Sequence, residues 1–149
     1  MQKLLTLSAA ITAMALSGAA FADEVWTTEI GDVVYETDLE NAQAVLSYPL
    51  GEDSEWRGRA FFPGLAGQYE GRTSYDGFWM EPGSDDGEGA CMTEMRDPET
   101  GNTSDVWGRV KLVFVDQDFP GSWVALRGEC FDEPGNMLVG KPVVAEGVE

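Results

Sequence analysis

Hydrophobic and polar residues alternate along the segment from Val106 to Cys130, with one interruption at "DQDFPG". An alternation with a period of two is typical of a half-buried β-strand, because successive side chains of a strand point to opposite faces of the sheet. The segment therefore predicts a β-hairpin. Its expected core-facing residues are Val106, Val110, Leu112 and Phe114 on the first arm and Val124, Leu126 and Cys130 on the second.

The opposite face of this hairpin is expected to carry Trp107, Arg109, Lys111, Trp123 and Arg127. A register that pairs Val113 with Ala125 places these five side chains together on the outside, with Arg109 opposite Glu129. A shift of two residues keeps the same faces and pairs Lys111 with Glu129 instead, whereas a shift of one would bury the charged side chains, so the register is tightly restricted. Guanidinium groups that stack on indole rings suit recognition of glycans or acidic groups, so these five residues are the ligand-binding candidates. The simpler interpretation, which we favour, is that they form only the solvated side of the hairpin.

Comparable strand-like segments precede and follow the hairpin. Residues 67–80 alternate large aromatic residues with glycine, which suits the tapered inside of a small barrel, although two short strands are an alternative there. No segment has a helical periodicity long enough to predict a helix. The pattern predicts an all-β fold, a small antiparallel β-barrel of about eight short strands, with a β-sandwich as the alternative. The expected strand segments are 24–29, 33–37, 42–50, 56–62, 67–80, 90–95, the two hairpin arms and 136–144.

The first 22 residues have the features of a secretory signal peptide. Lys3 supplies the positive start, Leu4 to Leu16 form a short apolar run, and Ala20-Phe21-Ala22 is an A-x-A cleavage site. Cleavage after Ala22 leaves residues 23–149, which we expect to form a single β domain in the periplasm or the external medium. The apolar run is shorter than the roughly 20 residues that a membrane-spanning helix needs, so no membrane insertion is expected after cleavage.

The chain has two cysteines, Cys91 and Cys130. In an oxidising compartment an even, minimal number of cysteines indicates one structural disulfide. In a simple meander these cysteines would lie on strands two apart and out of step, farther than the roughly 7 Å between Cα atoms that a disulfide tolerates. We therefore expect residues 80–105 to form an excursion that the bond attaches to the end of the hairpin, near Trp107. Bending of the chain at glycine is the alternative way to bring the two cysteines together.

The charge is strongly negative, with 27 acidic and 9 basic residues and a net of −18, and removal of Lys3 with the signal peptide makes the net −19. Such a field repels nucleic-acid backbones and anionic lipid surfaces, so neither is an expected partner. It attracts basic proteins, and the acidic loops 50–55, 83–89 and 97–105 are the candidate contacts.

The sequence lacks the residues and motifs of several common catalytic and metal-binding sites. It contains no histidine, which excludes a Ser-His-Asp triad and imidazole metal ligands, and it lacks the G-x-S-x-G, P-loop and dinucleotide-binding motifs. A glycosidase built on two carboxylates is the enzymatic alternative, with Glu70 and Asp76 as its candidate pair. Calcium is the candidate cofactor, because it binds oxygen ligands alone. The candidate loops are "GSDDGEG" and "DPETGNTSD", and neither has the spacing of an EF-hand. The simpler interpretation is that both loops are solvated polar turns. The candidate calcium ligands are Asp85, Asp86, Glu88, Asp97, Glu99, Asn102 and Asp105.

These observations predict a non-catalytic, secreted or periplasmic binding or inhibitory module that needs no cofactor. Its expected partner is a basic protein or a glycan, and the oligomeric state is left open. A calcium-binding β domain is the first alternative and a carboxylate-based hydrolase the second. A closed barrel that contains an apolar cavity would instead favour a small lipophilic ligand.

Overall fold

The computed structural model describes residues 24–53, 55–83, 87–117 and 119–144. Eight antiparallel strands close into a barrel in the order β1-β10-β9-β8-β5-β4-β3-β2, and β6 and β7 form a separate two-stranded sheet. The barrel confirms the predicted fold and excludes the sandwich alternative. Within the described ranges there is no helix long and apolar enough to cross a membrane. The strands are β1 Val25–Thr28, β2 Gly31–Asp38, β3 Gln43–Pro49, β4 Arg57–Pro63, β5 Ser74–Met80, β6 Met95–Arg96, β7 Thr103–Ser104, β8 Trp107–Phe114, β9 Trp123–Arg127 and β10 Asn136–Pro142.

Glycines on the inner wall make room for aromatic rings. A Cβ atom at Gly108 would lie 2.6 Å from the Trp79 indole nitrogen, and one at Gly140 would lie 2.3 Å from the Trp123 ring. The missing side chains let both rings pack closely against the backbone. Only the second half of segment 67–80 is a strand, because β5 begins at Ser74 and the preceding residues belong to the β4–β5 connection.

The predicted register of the hairpin is wrong by one residue. Val113 pairs with Val124, not with Ala125, and Leu112 pairs with Ala125. On β9 the inward positions are consequently Trp123, Ala125 and Arg127, while Val124 and Leu126 lie outside. The register prediction assumed that a cation must face solvent, but the inward Arg127 stacks on Trp79 and pairs with Glu81.

The two ends of the barrel differ. Connections 39–42, 64–73 and 115–122 meet at one end, where Leu65 is fully buried and Arg72 packs over Phe114. That end is closed. The opposite end carries connections 29–30, 50–56, 81–106 and 128–135. We call it the mouth.

The connection from β5 to β8 forms the expected excursion. β5 pairs directly with β8, and the described residues 87–106 of the connection, which include β6 and β7, cover the outside of the barrel. Beneath them is a second hydrophobic cluster in which Val45, Phe61, Met80 and Trp107 are buried. The Cys91–Cys130 disulfide, with Cα atoms 5.6 Å apart, attaches this excursion to the residues after β9 and confirms the predicted bond.

Candidate functional site

A cavity of about 340 Å³ occupies the barrel interior and opens at the mouth. Its rim includes Glu29, Ile30, Glu129, Asn136 and Met137. Its walls are mostly apolar because the inward positions of the strands carry aliphatic and aromatic side chains. Among the wall residues are Leu46, Ala60, Phe62, Val110, Leu112 and Ala125.

Trp123 lies at the closed-end side of the cavity, since it is the first residue of β9 and pairs with Phe114, the last residue of β8. The Trp123 side chain is buried, and its indole packs edge to face on Trp26, with ring centroids 6.0 Å apart. Its buried indole N–H has no hydrogen-bond partner among the described residues. Trp123 thus lines the cavity and carries a buried donor that no described residue satisfies.

A polar cluster lies on the wall near the mouth, where β3 and β9 end. The Arg127 guanidinium is 3.5 Å from the centre of the Trp79 ring, and its Nη2 donates to Glu81 Oε1 at 2.8 Å. The Tyr48 hydroxyl donates to the same carboxylate oxygen at 3.0 Å. Arg127 is thus held by an ion pair and an aromatic stack, and both partners belong to elements distant in sequence.

Tyr48 is a hydrogen-bond donor in this cluster. Burial raises the pKa of its hydroxyl far above the ordinary value; Arg127 opposes this shift and the Glu81 carboxylate adds to it. The hydroxyl therefore remains protonated at neutral pH. Within this cluster, the Glu81 carboxylate accepts hydrogen bonds from two side chains and balances the one positive charge of the cavity lining.

The mouth is acidic. Glu29 and Glu129 lie on its rim, and the predicted acidic loops 50–55, 83–89 and 97–105 all fall within connections at this end. Residues 54 and 84–86 of these loops lie outside the described part of the chain. A positively charged molecule that approached the barrel would meet the cavity entrance at its most negative end.

The predicted Trp/Arg face is divided by the barrel wall. Trp107, Arg109 and Lys111 lie on the outside of β8, whereas Trp123 and Arg127 line the cavity. Of the outer residues, Trp107 is buried beneath the excursion and donates to the Thr93 carbonyl at 2.8 Å. The two cations are exposed or half-buried, and they pair with carboxylates: Arg109 with Glu133 at 3.6 Å and Lys111 with Asp76 at 3.0 Å. The five residues therefore do not form one surface, and their role in ligand binding stays a prediction.

Two of the candidate calcium ligands, Asp97 and Glu99, have other contacts in the structure. Asp97 and Glu99 both pair with Arg59, and Asp97 also accepts the backbone N–H groups of Glu99 and Thr100. No group of three or more acidic or cysteine side chains that could hold a metal ion occurs in the described ranges. Asp85 and Asp86 lie outside those ranges. The other predicted ligands, Glu88, Asn102 and Asp105, lie within them. Calcium binding stays a prediction, which an unchanged melting temperature in millimolar calcium would refute.

The candidate glycosidase pair lies away from the cavity. Asp76 is on the outer face of β5 and pairs with Lys111, while Glu70 is exposed in the β4–β5 connection at the closed end. Neither residue lines the cavity. The two substitutions Glu70→Gln and Asp76→Asn remain the direct test of a hydrolase.

Sequence reasoning identified two cavity residues, Trp123 and Arg127, but assigned both to the outer surface. It did not identify Tyr48 or Glu81. The available signal was the inward aromatic–glycine alternation, which predicted ring-lined barrel walls but not the polar groups between the rings.

No protein-family model, curated protein or solved structure matches this chain.

Proposed function

We propose that this protein is a non-catalytic, exported binding protein that holds a small lipophilic molecule inside its barrel. The observation that carries the proposal is the cavity of about 340 Å³, lined mainly by apolar side chains and open at one end. Ligand pockets are typically concave and mostly apolar, with volumes of roughly 300–1,000 Å³ and a few polar groups. Eight strands give a barrel just wide enough for one small ligand.

The composition of the wall supports this proposal. Protein interiors are normally packed as densely as organic crystals, so an interior space of this size is not an ordinary packing defect. Ala60 and Ala125 both line the cavity, and larger aliphatic residues at either position would fill part of it. The size of the space therefore depends in part on these two small residues.

Binding of the neutral dye N-phenyl-1-naphthylamine tests the proposal. Trp79 and Trp123 line the cavity, so a dye bound there should quench tryptophan emission by energy transfer and emit itself. Ala125→Leu should fill the cavity and weaken dye binding at least tenfold. The matched control is Ala90→Leu, the same change at an exposed loop position, which should leave dye binding unchanged. Equal dye affinity in both variants and the wild type would refute cavity binding.

A basic protein partner is the second candidate, because the rim of the mouth carries Glu29 and Glu129 and the connection 50–56 at the same end adds the exposed Glu52 and Asp53. Contacts of this kind are screened by salt. A cationic protein on a column should retain the barrel at low ionic strength and release it at high ionic strength. The double variant Glu29→Gln/Glu129→Gln should elute at a lower salt concentration than the wild type. The control Glu70→Gln, at an exposed position of the closed end, should elute after the double variant.

Export is part of the proposal and has a direct test. Signal cleavage after Ala22 would give a protein that begins at Asp23, and its intact mass, measured after recovery from the periplasm or medium, should correspond to residues 23–149 with one disulfide. A protein that retains residues 1–22 would contradict this localisation.

A further inference from the structure

We infer that the cavity ligand is a neutral lipophile that carries a carbonyl-type hydrogen-bond acceptor at its deep end, where the indole N–H of Trp123 receives it. This inference rests on the proposed function and specifies the class of ligand. It is carried by two features of the described residues: the unsatisfied indole donor of Trp123, a side chain that lines the cavity, and the balance of charge on the cavity wall and rim.

The hydrogen bonding of the buried tryptophans sets Trp123 apart. Buried tryptophan normally finds an acceptor for its N–H, because an unsatisfied buried donor is costly. In this chain three of the four buried indoles do so: Trp26 donates to Gly121 O at 2.9 Å, Trp79 to Gly128 O at 2.8 Å and Trp107 to Thr93 O at 2.8 Å. The fourth, Trp123, is 2% exposed and has no acceptor in the described part of the chain.

The position of Trp123 makes a ligand the natural source of that acceptor. Its neighbour Trp26 is satisfied within the protein, whereas Trp123 lines the cavity. A carbonyl oxygen that reached Trp123 would satisfy the indole while the rest of the molecule contacted the aliphatic wall. A pure hydrocarbon would fill the same space and leave the donor unsatisfied.

The electrostatics favour a neutral acceptor over an anionic one. Arg127 is the cation of the cavity lining, and it is already paired with Glu81. Glu29 and Glu129 add two negative charges at the rim. A carboxylate ligand would have to pass these charges and either compete with Glu81 or remain unpaired in an apolar cavity, which is costly. A ketone, ester or lactone incurs neither penalty.

Displacement of N-phenyl-1-naphthylamine at pH 7 by three nine-carbon compounds tests the inference. The compounds are 2-nonanone, n-nonane and nonanoic acid, which share chain length and differ in the end group. We expect 2-nonanone to bind at least fivefold more tightly than nonane, about 1 kcal/mol, and more tightly than nonanoic acid. Equal affinities for the ketone and the alkane, or tightest binding of the acid, would overturn the inference while leaving the proposed function intact. Failure of all three compounds and of the dye to bind would refute the proposed function itself.

Substitution of Trp123 tests whether its indole N–H is the donor that causes the preference for the ketone over the alkane. Trp123→Phe should reduce the preference for ketone over alkane to less than twofold and leave the affinity for nonane within about twofold of wild type. The matched control is Trp26→Phe, the same change in the adjacent ring, whose N–H is satisfied by Gly121; it should keep the full preference. A preference that persists in Trp123→Phe would contradict the assignment. The melting temperature of each variant verifies folding, and if Trp123→Phe does not fold, the comparison of the three compounds with the wild-type protein decides the inference alone.

Discussion

Replacement of Arg72 with methionine tests how the closed end of the barrel is held together. The Arg72 side chain is 5% exposed, and its two terminal nitrogens donate to the two carboxylate oxygens of Glu24 at 2.8 and 2.7 Å. Its Nε donates to the Gln68 carbonyl at 2.6 Å, and its guanidinium lies 5.0 Å from the centre of the Phe114 ring. The ion pair thus joins the residue before β1 to the β4–β5 connection.

The loss in free energy of unfolding that we expect for Arg72→Met follows from the burial of the ion pair. Removal of one partner of a buried ion pair typically costs about 3–5 kcal/mol because the other charge is left uncompensated. Glu24 retains a side-chain exposure of 12%, so water can partly solvate its carboxylate, and we expect the lower end, about 3 kcal/mol. The double variant Arg72→Met/Glu24→Leu removes both charges and should recover most of this loss, since apolar replacements of buried pairs are often neutral.

Urea unfolding of residues 23–149, followed by tryptophan fluorescence and far-ultraviolet circular dichroism, measures these values. The control is Lys111→Met, which breaks the exposed pair with Asp76 and should cost less than about 1 kcal/mol. The single variant Glu24→Leu completes the comparison. If the double variant loses as much free energy of unfolding as Arg72→Met and Glu24→Leu together, the two side chains are not coupled and the reasoning is wrong. A loss below about 1 kcal/mol for Arg72→Met would show that the pair is screened like a surface pair.

Three further predictions concern the remaining parts of the fold. The double variant Cys91→Ala/Cys130→Ala opens a loop of 39 residues, so the free energy of unfolding should fall by about 3–4 kcal/mol in urea titration. Gly140→Ala should lower it by about 1–3 kcal/mol, because the new Cβ would overlap the Trp123 ring at 2.3 Å, and no loss would show that the ring can move away. The register predicts that Ala125→Asp, on the inner face, costs at least about 2 kcal/mol more than Leu126→Asp, on the outer face; the reverse order in urea unfolding would support the register expected from the sequence.

Most of the barrel strands could be predicted because they depend on local patterns. The strand expected at residues 90–95 is wrong, since β6 begins only at Met95. Inward residues of β4 and β8 such as Ala60, Val110 and Leu112 each directly follow a basic residue, so a period of two is visible in the sequence. The disulfide added a long-range constraint of known length. That constraint was sufficient to predict that the chain between β5 and β8 leaves the barrel and returns.

The inward face of β9 could not be predicted by the same reasoning. Both faces of this strand carry large hydrophobic residues, with Trp123 on one and Leu126 on the other, so hydrophobicity does not decide between them. The deciding partners of Arg127 are Trp79 and Glu81, which are close in space but distant in sequence. The aliphatic stem of arginine can be buried when its charged end has a partner, and such a partner is not visible in a local pattern.

The cavity and the acidic mouth support two kinds of binding that respond differently to salt. Contacts of an apolar ligand with Leu112 or Ala125 depend on burial of nonpolar surface, which added salt does not screen. Contacts of a basic partner with Glu29 and Glu129 are exposed electrostatic interactions, which are largely screened beyond roughly 3 Å in 1 M salt. Dye binding should therefore persist at high ionic strength while retention on a cationic protein is lost. If binding of this neutral dye and retention on the cationic protein were lost together, the two kinds of binding would not be independent, and the assignment of the dye to the apolar cavity would be wrong.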